Sequence, residues 1–421
     1  MLGFIIAALK IIFLLGFLVL IHELGHYVAA RICKVKVNEF AIGWGPTIWK
    51  KTKNDTKYAI RLFPIGGFVN MEGEERRSEE EGSFSKASVP KRMLIIVAGA
   101  VVNILFALIV YFILSATNTN NTSLTISFPL QGSQAESSGL LPEDTIKEIN
   151  NKKVYIKSDM DRILSKLNGE EIEVKVKRNN ELLNFKFMPV VEEMKSIGIH
   201  LGTEGKDLSA EVKAIFPDSS AEKSGIQIGD KILKIDGIDT ENDPYKVKNI
   251  IEGVTTSKTE IVLDRKGETK TIETEVQTEK LYYVGVILKE ADKTFLNNVY
   301  YAFWDTRDFS ISIVDNLKLL FSGKVKMNQL MGPIGISGEV AKTNGVKEFV
   351  YLLALISLSL GVTNLLPFPP LDGGRAVILL MEGIRKKPLK EDIEIKIQLI
   401  GFALIIFLAI YISYKDILRI F

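Results

Sequence analysis

Four stretches of this chain are apolar for about the length that a bilayer demands, and that constrains everything else it can fold into. They cover residues 5–29, 93–116, 349–366, and 400–412 with its flanks. A helix needs roughly 20 apolar residues to cross hydrocarbon, and only helices or closed barrels satisfy their backbone there. The sequence therefore predicts a multi-pass α-helical membrane protein with four transmembrane helices. The first stretch does not read as a cleaved secretory signal. It lacks a basic leader and a small-residue cleavage site, and its apolar run is too long. Lys10 interrupts it near its start and is expected to snorkel to the interface. Basic residues after it (Arg31, Lys34, Lys36 and onward) put its end in the cytosol. Arg375 and the run Arg385-Lys386-Lys387 do the same for the loop before the last span. Net charge is +2, so no nucleic-acid footprint is present.

The first span carries Ile21-His22-Glu23-Leu24-Gly25-His26. A helix puts residues i and i+4 on one face, so His22 and His26 aim two imidazoles at one point. Glu23 lies beside them. That is the pattern of a zinc site whose glutamate acts as general base. The chain has only 3 histidines, and two are here. Ionisable groups inside membrane spans mark function by default. A catalytic zinc takes three protein ligands and keeps a position for water. No third membrane histidine exists, and the sole cysteine, Cys33, lies beyond the span and reads as a small packing residue. Asp372 is the expected third ligand. It follows the helix break Asn364-Leu365-Leu366-Pro367-Phe368-Pro369-Pro370-Leu371, which ends the third apolar stretch at the same cytosolic depth. Glu382 is a weaker candidate, ten residues on. Asn364, with Pro367 and Pro369 beside it, is the expected substrate-binding edge, and the Asn364 amide can donate to substrate or to a developing oxyanion; capping of the broken helix is the alternative.

Between the motifs the chain reads in order. Residues 40–49 and 58–69 are rich in aromatic and β-branched residues, and a polar turn at 50–55 separates them. They predict a β-hairpin, either on the cytosolic surface or dipping toward the metal site where protein or water covers it. The acidic stretch 72–81 reads as a solvated loop without a role. Gly99 and Asn103 share a face of the second span and suggest helix packing. From residue 118 to about 291 the chain turns polar and strand-like, and it repeats. Ser133, Ala135, Gly139, Asp144, Ile146 and Ile149 recur at Ser219, Ala221, Gly225, Asp230, Ile232 and Ile235, each 86 positions on (225 − 139 = 86). The fuller second copy runs from Pro217 to Asp230. There Ser219 or Ser220 can cap a short helix, Gly225 can end it, and Asp236-Gly237 signals a tight turn. This repeat resembles a tandem pair of PDZ domains. The first copy departs at Glu143 and Asn151, where the second has Gly229 and Gly237, which bears on its turns and its peptide binding. Such domains capture extended peptides at a sheet edge; a space-filling pair is the alternative. His200 reads as a surface or packing residue. Residues 293–321 place apolar groups at helical spacing, for an amphipathic helix on the outer membrane face or packed on the domain pair. Residues 332–335 (Gly-Pro-Ile-Gly) read as a turn before the third span.

The sequence thus divides into residues 1–117 (two spans, metal motif and hairpin), 118–203 and 204–291 (two PDZ-like α+β domains outside the membrane), 292–346 (an amphipathic connection) and 347–421 (the last two spans). His22-Glu23-Leu24-Gly25-His26 together with Asn364-x-x-Pro367-x-Pro369-x-Leu371-Asp372-Gly373 resembles the site-2 protease family of intramembrane zinc metalloproteases. Four spans around two PDZ domains resemble its bacterial branch, the regulators of sigma-E protease, over essentially the whole chain. The resemblance implies zinc bound by the two histidines and the aspartate, with catalysis by the glutamate. It implies that the hairpin presents substrate as an added strand. It also implies single-span substrates, such as anti-sigma factors already shortened outside or remnant signal peptides, in a bacterial cytoplasmic membrane. A metal-free membrane adaptor with PDZ domains and a zinc permease are the readings from other classes. Zinc content separates the first from a protease, and metal uptake separates the second.

Overall fold

The computed structural model describes residues 2–74, 76–117, 121–202, 208–216, 218–323, 332–343 and 345–420. Chain contacts divide the protein into two units, residues 1–120 with 292–318 and 330–421, and residues 121–291 with 319–329.

The first unit begins with α1 (Leu2–Ile32), then β1 (Val37–Lys53), β2 (Thr56–Met71) and α2 (Val89–Thr117). β1 and β2 form the expected hairpin, but it folds back on itself. Ala41 stands opposite both Ala59 and Phe68, and Ile42 opposite both Ile60 and Gly67. The bend falls at Gly43, whose φ of +86° is open to glycine. The returning strand runs along α1. A side chain at Gly16 would meet Pro64 O at 2.5 Å, and one at Gly67 would lie 3.8 Å from Glu23 Cγ. Tyr27 and Tyr58 share a hydroxyl hydrogen bond of 2.6 Å. Of the two sequence readings, the hairpin that reaches the metal motif is the one observed. Trp44, Ile48, Leu62 and Phe63 remain exposed on it, an apolar surface that lipid accommodates. The acidic stretch is not a free loop. Glu72 N–H and Phe84 N–H bond to Lys36 O and Glu72 O, and Ser78, Ser83 and Ser85 bond among themselves.

In the second unit the chain forms β3 (Thr122–Pro129), α3 (Gln134–Ser137), β4 (Thr145–Ile149), β5 (Lys152–Lys153), α4 (Lys157–Leu164), β6 (Ile172–Arg178), β7 (Glu181–Phe187) and β8 (Val190–Ser196). It continues through β9 (Ile199–Gly202), β10 (Ser209–Ile215), α5 (Ser220–Ser224), β11 (Lys231–Ile235), β12 (Ile238–Asp239), α6 (Pro244–Gly253), β13 (Lys258–Arg265) and β14 (Glu268–Glu275). β15 (Gln277–Tyr283) and β16 (Val286–Glu290) close it. One sheet has the order β14-β13-β11-β10-β9 and the other β16-β3-β4-β6-β7. β8 pairs with β15 as a two-stranded ribbon. The expected boundary at 203/204 and start at 118 lie outside the described residues, as does Pro217. The pairing of the described strands nevertheless corrects the simple tandem order. β16 hydrogen-bonds to β3, so the first sheet is completed only after the second has been made.

The 86-residue repeat is visible in both cores. Ile146 and Ile149 are fully buried in one, and Ile232 and Ile235 in the other. Ser133 and Ser219 cap their short helices by accepting from Glu136 and Glu222 N–H at 3.2 Å. Gly225 ends α5 with φ +85°. A feature absent from the sequence reading is an arginine in each copy. Arg178 binds buried Asp144 through two nitrogens at 2.7 and 2.6 Å and donates to Gly139 O. Arg265 repeats this with Asp230 at 2.8 and 2.7 Å and with Gly225 O. The first copy also keeps the backbone of the turns that it builds without glycine. Glu143 and Asn151 have φ of +71° and +60°, against +92° and +81° at Gly229 and Gly237.

The chain returns to the first unit at residue 292, and its remaining helices are α7 (Phe295–Phe321, of which residues up to 318 belong to this unit), α8 (Pro333–Lys342), α9 (Val346–Asn364), α10 (Asp372–Arg385) and α11 (Glu391–Ile420). Among the described residues four helices are long and apolar enough to cross a membrane: residues 5–32, 89–117, 346–364 and 391–417. α7 is amphipathic as expected. Ala302 is buried with Ala107 and Ala354 of α2 and α9, while Phe295, Leu296 and Phe303 are exposed. Residues 332–335 are not a turn but the start of α8, with Pro333 in the first helical turn, where its missing N–H is harmless. Buried Asp416 of α11 accepts from Gly332 and Gly335 N–H at 2.9 and 2.8 Å. Lys10 of α1 donates to Thr343 O at the other end of α8 at 2.5 Å, so it caps a helix rather than snorkelling. Anion at the N-terminus and cation at the C-terminus both match the helix dipole.

Two stability predictions follow from the repeat. Arg265→Leu leaves Asp230 charged and buried, and should lower unfolding free energy by about 3–5 kcal/mol in thermal or denaturant melts. Glu143→Gly relieves a left-handed non-glycine residue and should stabilise by about 0.5–1 kcal/mol, after the added freedom of the unfolded glycine is offset; a lowered melting temperature would contradict it.

Candidate metal centre

The centre is built from α1, α2 and the start of α10. α1 is helical through its apolar run, so His22 and His26 stack one turn apart with Nε2 atoms 3.1 Å from each other. α2 passes so close that only glycine fits at its crossing. A Cβ on Gly99 would lie 2.4 Å from His26 Nε2 and 2.8 Å from His22 Cε1. Gly99 therefore does more than the helix packing expected of it: it makes room for both rings.

α2 also sets which ring nitrogens are free. His26 Nδ1 donates to Ile95 O at 2.9 Å, which leaves its Nε2 lone pair pointing at the centre. The Asn103 amide lies 3.4 Å from His22 Nδ1. It is fully buried, and its Oδ1 has no hydrogen-bond partner as placed. The reverse amide orientation has the same shape and gives Oδ1 the His22 Nδ1–H. Ser357 of α9 donates to Asn103 O at 3.0 Å and fixes that turn of α2. The sequence reading assigned Asn103 to packing. Its spacing of four from Gly99, facing the histidines, is the signal that points to the ring instead.

Asp372 arrives from the far end of the chain. α9 ends at Asn364, the prolines stop any continuation, and α10 begins at Asp372. The loop 365–371 folds tightly under the new helix, and a Cβ on Gly373 would lie 2.3 Å from both Leu365 O and Leu366 O. Asp372 Oδ2 comes to 3.2 Å from His22 Nε2 and 3.5 Å from His26 Nε2. The oxygen is buried and has no hydrogen bond of acceptable geometry.

These three donors fit zinc. Ligand atoms about 2.0–2.2 Å from a tetrahedral zinc stand about 3.3–3.6 Å apart, and the observed triangle has sides of 3.1, 3.2 and 3.5 Å. Among the described residues these are the one group of histidine, cysteine and carboxylate side chains close enough to hold an ion. Glu23 stands outside the triangle and accepts from Val69 N–H of β2 at 3.1 Å. It is thus held between the ligands and the edge of the hairpin.

The other sequence candidates fall elsewhere. Glu382 is bound through both oxygens by Arg92 and is not a ligand. Asn364 is half-buried at the end of α9 and is no part of the triangle, while Pro367 is exposed and Pro369 half-buried in the loop below it. Cys33 is buried among Ala29, Ala30 and Val35. His200 is exposed in β9, in the other unit.

Two imidazoles and a carboxylate with a glutamate alongside, the histidines and the glutamate on a helix long and apolar enough to cross a membrane, are the donor set of a membrane metallopeptidase. The chain belongs to Peptidase family M50, which it matches over residues 10–408. It is 31% identical over 432 residues to a "Regulator of sigma E protease" of Haemophilus influenzae, covering 96% of each chain. It is 30% identical to "Zinc metalloprotease RasP" of Shouchella clausii, over 98% of this chain and 99% of that one. It is 28% identical to "Regulator of sigma-E protease RseP" of Escherichia coli over 100% of both.

The assignment of Asp372 is tested by metal content. Asp372→Asn should lose zinc and cleavage together. Glu382→Gln should keep zinc but lower stability by about 1–3 kcal/mol, because Arg92 loses its charged partner. Zinc analysis and melting of the purified variants would show the split, and zinc loss in Glu382→Gln alone would reverse the assignment.

Proposed function

We propose that this protein is an intramembrane zinc endopeptidase that cuts single-span membrane proteins within or near the bilayer. Membership of the peptidase family and the zinc-metalloprotease relatives support the activity. The observation that carries the site is the convergence of His22, His26 and Asp372 on one point beside Glu23. His22, His26 and Asp372 hold the zinc. When bound, zinc lowers the pKa of a water to about 7 and polarises a carbonyl oxygen.

Glu23 takes the proton of the attacking water and returns it to the departing amine. Val69 N–H orients the carboxylate before substrate arrives. The substrate must unwind to expose a peptide bond, since a helix buries its carbonyls in i→i−4 bonds. The free edge of β2 beside Glu23 supplies the backbone groups that an extended segment needs in lipid. Asn364 donates to that segment from the broken-helix side, with Pro367 and Pro369 in the loop beside it.

The basic residues after α1 and α10 support a metal centre toward the cytosol and a β-sheet unit outside. The sheets are read as two PDZ-like domains, one nested within the other, that bind peptide or exclude bulky substrates. Anti-sigma factors and remnant signal peptides are the proposed substrates; two relatives are named as regulators of sigma E.

Glu23→Gln separates chemistry from metal binding. It should retain zinc and lose about 10²–10⁴-fold in cleavage of a single-span reporter. Turnover near wild type would remove Glu23 from the mechanism.

A further inference from the structure

Asp372 needs to be aimed, and nothing in the triangle aims it, since its Oδ2 lacks a hydrogen bond. The neighbouring turn of α10 supplies a candidate. Arg375, three residues on, points its Nη1 at Glu74 Oε1 at 2.7 Å. The pair is mostly buried, with 27% of the Arg375 side chain and 16% of Glu74 exposed. Glu74 lies just past β2, and its N–H turns back to Met71 O. β2 is the strand whose Val69 N–H holds Glu23.

The segment around Glu74 is not slack. Gly73 is left-handed, with φ +75°, and sits against Ser83 and Ser85. Arg77 donates to Leu389 O, beyond the other end of α10, at 2.5 Å. Glu74, Arg77 and Arg375 line a cleft of about 350 Å³ together with Glu394 and Gln398 of α11. Glu74 thus lies just past the strand that holds Glu23 and pairs with the helix that carries Asp372, and Arg77 reaches the loop beyond that helix.

We propose that the Glu74–Arg375 ion pair is a positioning clamp that fixes the spacing between Glu23 and Asp372. This rests on the reading of Asp372 as a zinc ligand and Glu23 as the base. A glutamate–arginine pair suits the task because the planar guanidinium fixes direction as well as distance. Without it the start of α10 is held by the proline loop and by Ala376 and Leu379 against α2, which are apolar contacts that do not fix direction. A shift of about 1 Å at a reacting centre costs about 10²-fold in rate.

The test uses the full-length protein in detergent, with zinc release to a chromophoric chelator, reporter cleavage and melting temperature measured on each variant. Glu74→Gln and Arg375→Gln should each speed zinc release about tenfold and lower kcat about 10–100-fold, with KM little changed. Arg375→Lys should fall between them and wild type. The exchange Glu74→Arg with Arg375→Glu should recover most of the loss in both readouts. Wild-type zinc release and kcat in the single variants overturn the clamp. So does a loss that tracks the melting temperature and is no smaller in Arg375→Lys or in the exchange. Asp372→Asn, run alongside, tells the two levels apart. If it stays zinc-loaded and active, the ligand reading and the clamp fall together. If it loses zinc while the clamp variants behave as wild type, the clamp alone fails.

Discussion

The constraint on which this structure depends is that ionisable groups between apolar helices must be neutralised by one another or by a cation. Two imidazoles and a carboxylate stand within 3.5 Å of each other here. Each histidine has its Nδ1 side turned to α2, toward Ile95 O or the Asn103 amide. That leaves three lone pairs facing one small volume, and a divalent cation satisfies all three at once. The helices are arranged for this approach. Gly99 lets α2 touch the rings, and Gly373 lets α10 start directly against the loop that precedes it.

The same constraint explains the hairpin. A strand at membrane depth must find partners for its backbone, and β1–β2 finds them by folding back on itself so that residues 40–42 are paired on both sides. Of its two edges, the one formed by residues 67–71 faces α1, and its Val69 N–H is taken by Glu23. The edge that carries Val69, the Glu23 carboxylate and the three clustered side chains thus share one small region, the arrangement on which the proposed docking of a substrate strand rests. Four charges outside the centre are also partnered: Arg92 and Glu382 with each other as an ion pair, and Lys10 and Asp416 with the two ends of α8.

Much of the centre was legible because it rests on local rules. Helical periodicity alone puts His22 and His26 together, and a proline break followed by an aspartate marks Asp372. The hairpin's existence was legible from its composition, but its fold-back was not, because register depends on bends at glycines that look alike in sequence. Residues 72–81 were misread for a clear reason. Their acidic composition is that of a solvated loop, and Glu74's partner lies 301 positions away. Gly-Pro-Ile-Gly was read as a turn because its stabilising anion, Asp416, is 81–84 residues on. The nested order of the sheets left a trace that could have been followed. Gly198, before β9, has φ +79° and packs on Ser219. Its counterpart 86 positions earlier would be residue 112, inside the second span. The first copy therefore had to take that strand from elsewhere, and Gly285, with φ +83° against Ser133, begins it.

The central claim is a zinc site made of two imidazoles and one carboxylate, without sulfur. X-ray absorption at the zinc edge of the purified full-length protein reads that ligand set directly. The account predicts one zinc per chain, two imidazole scatterers, and only nitrogen or oxygen neighbours at about 2.0–2.2 Å. A sulfur neighbour at about 2.3 Å, a third imidazole, or a chain that purifies active without zinc would contradict it.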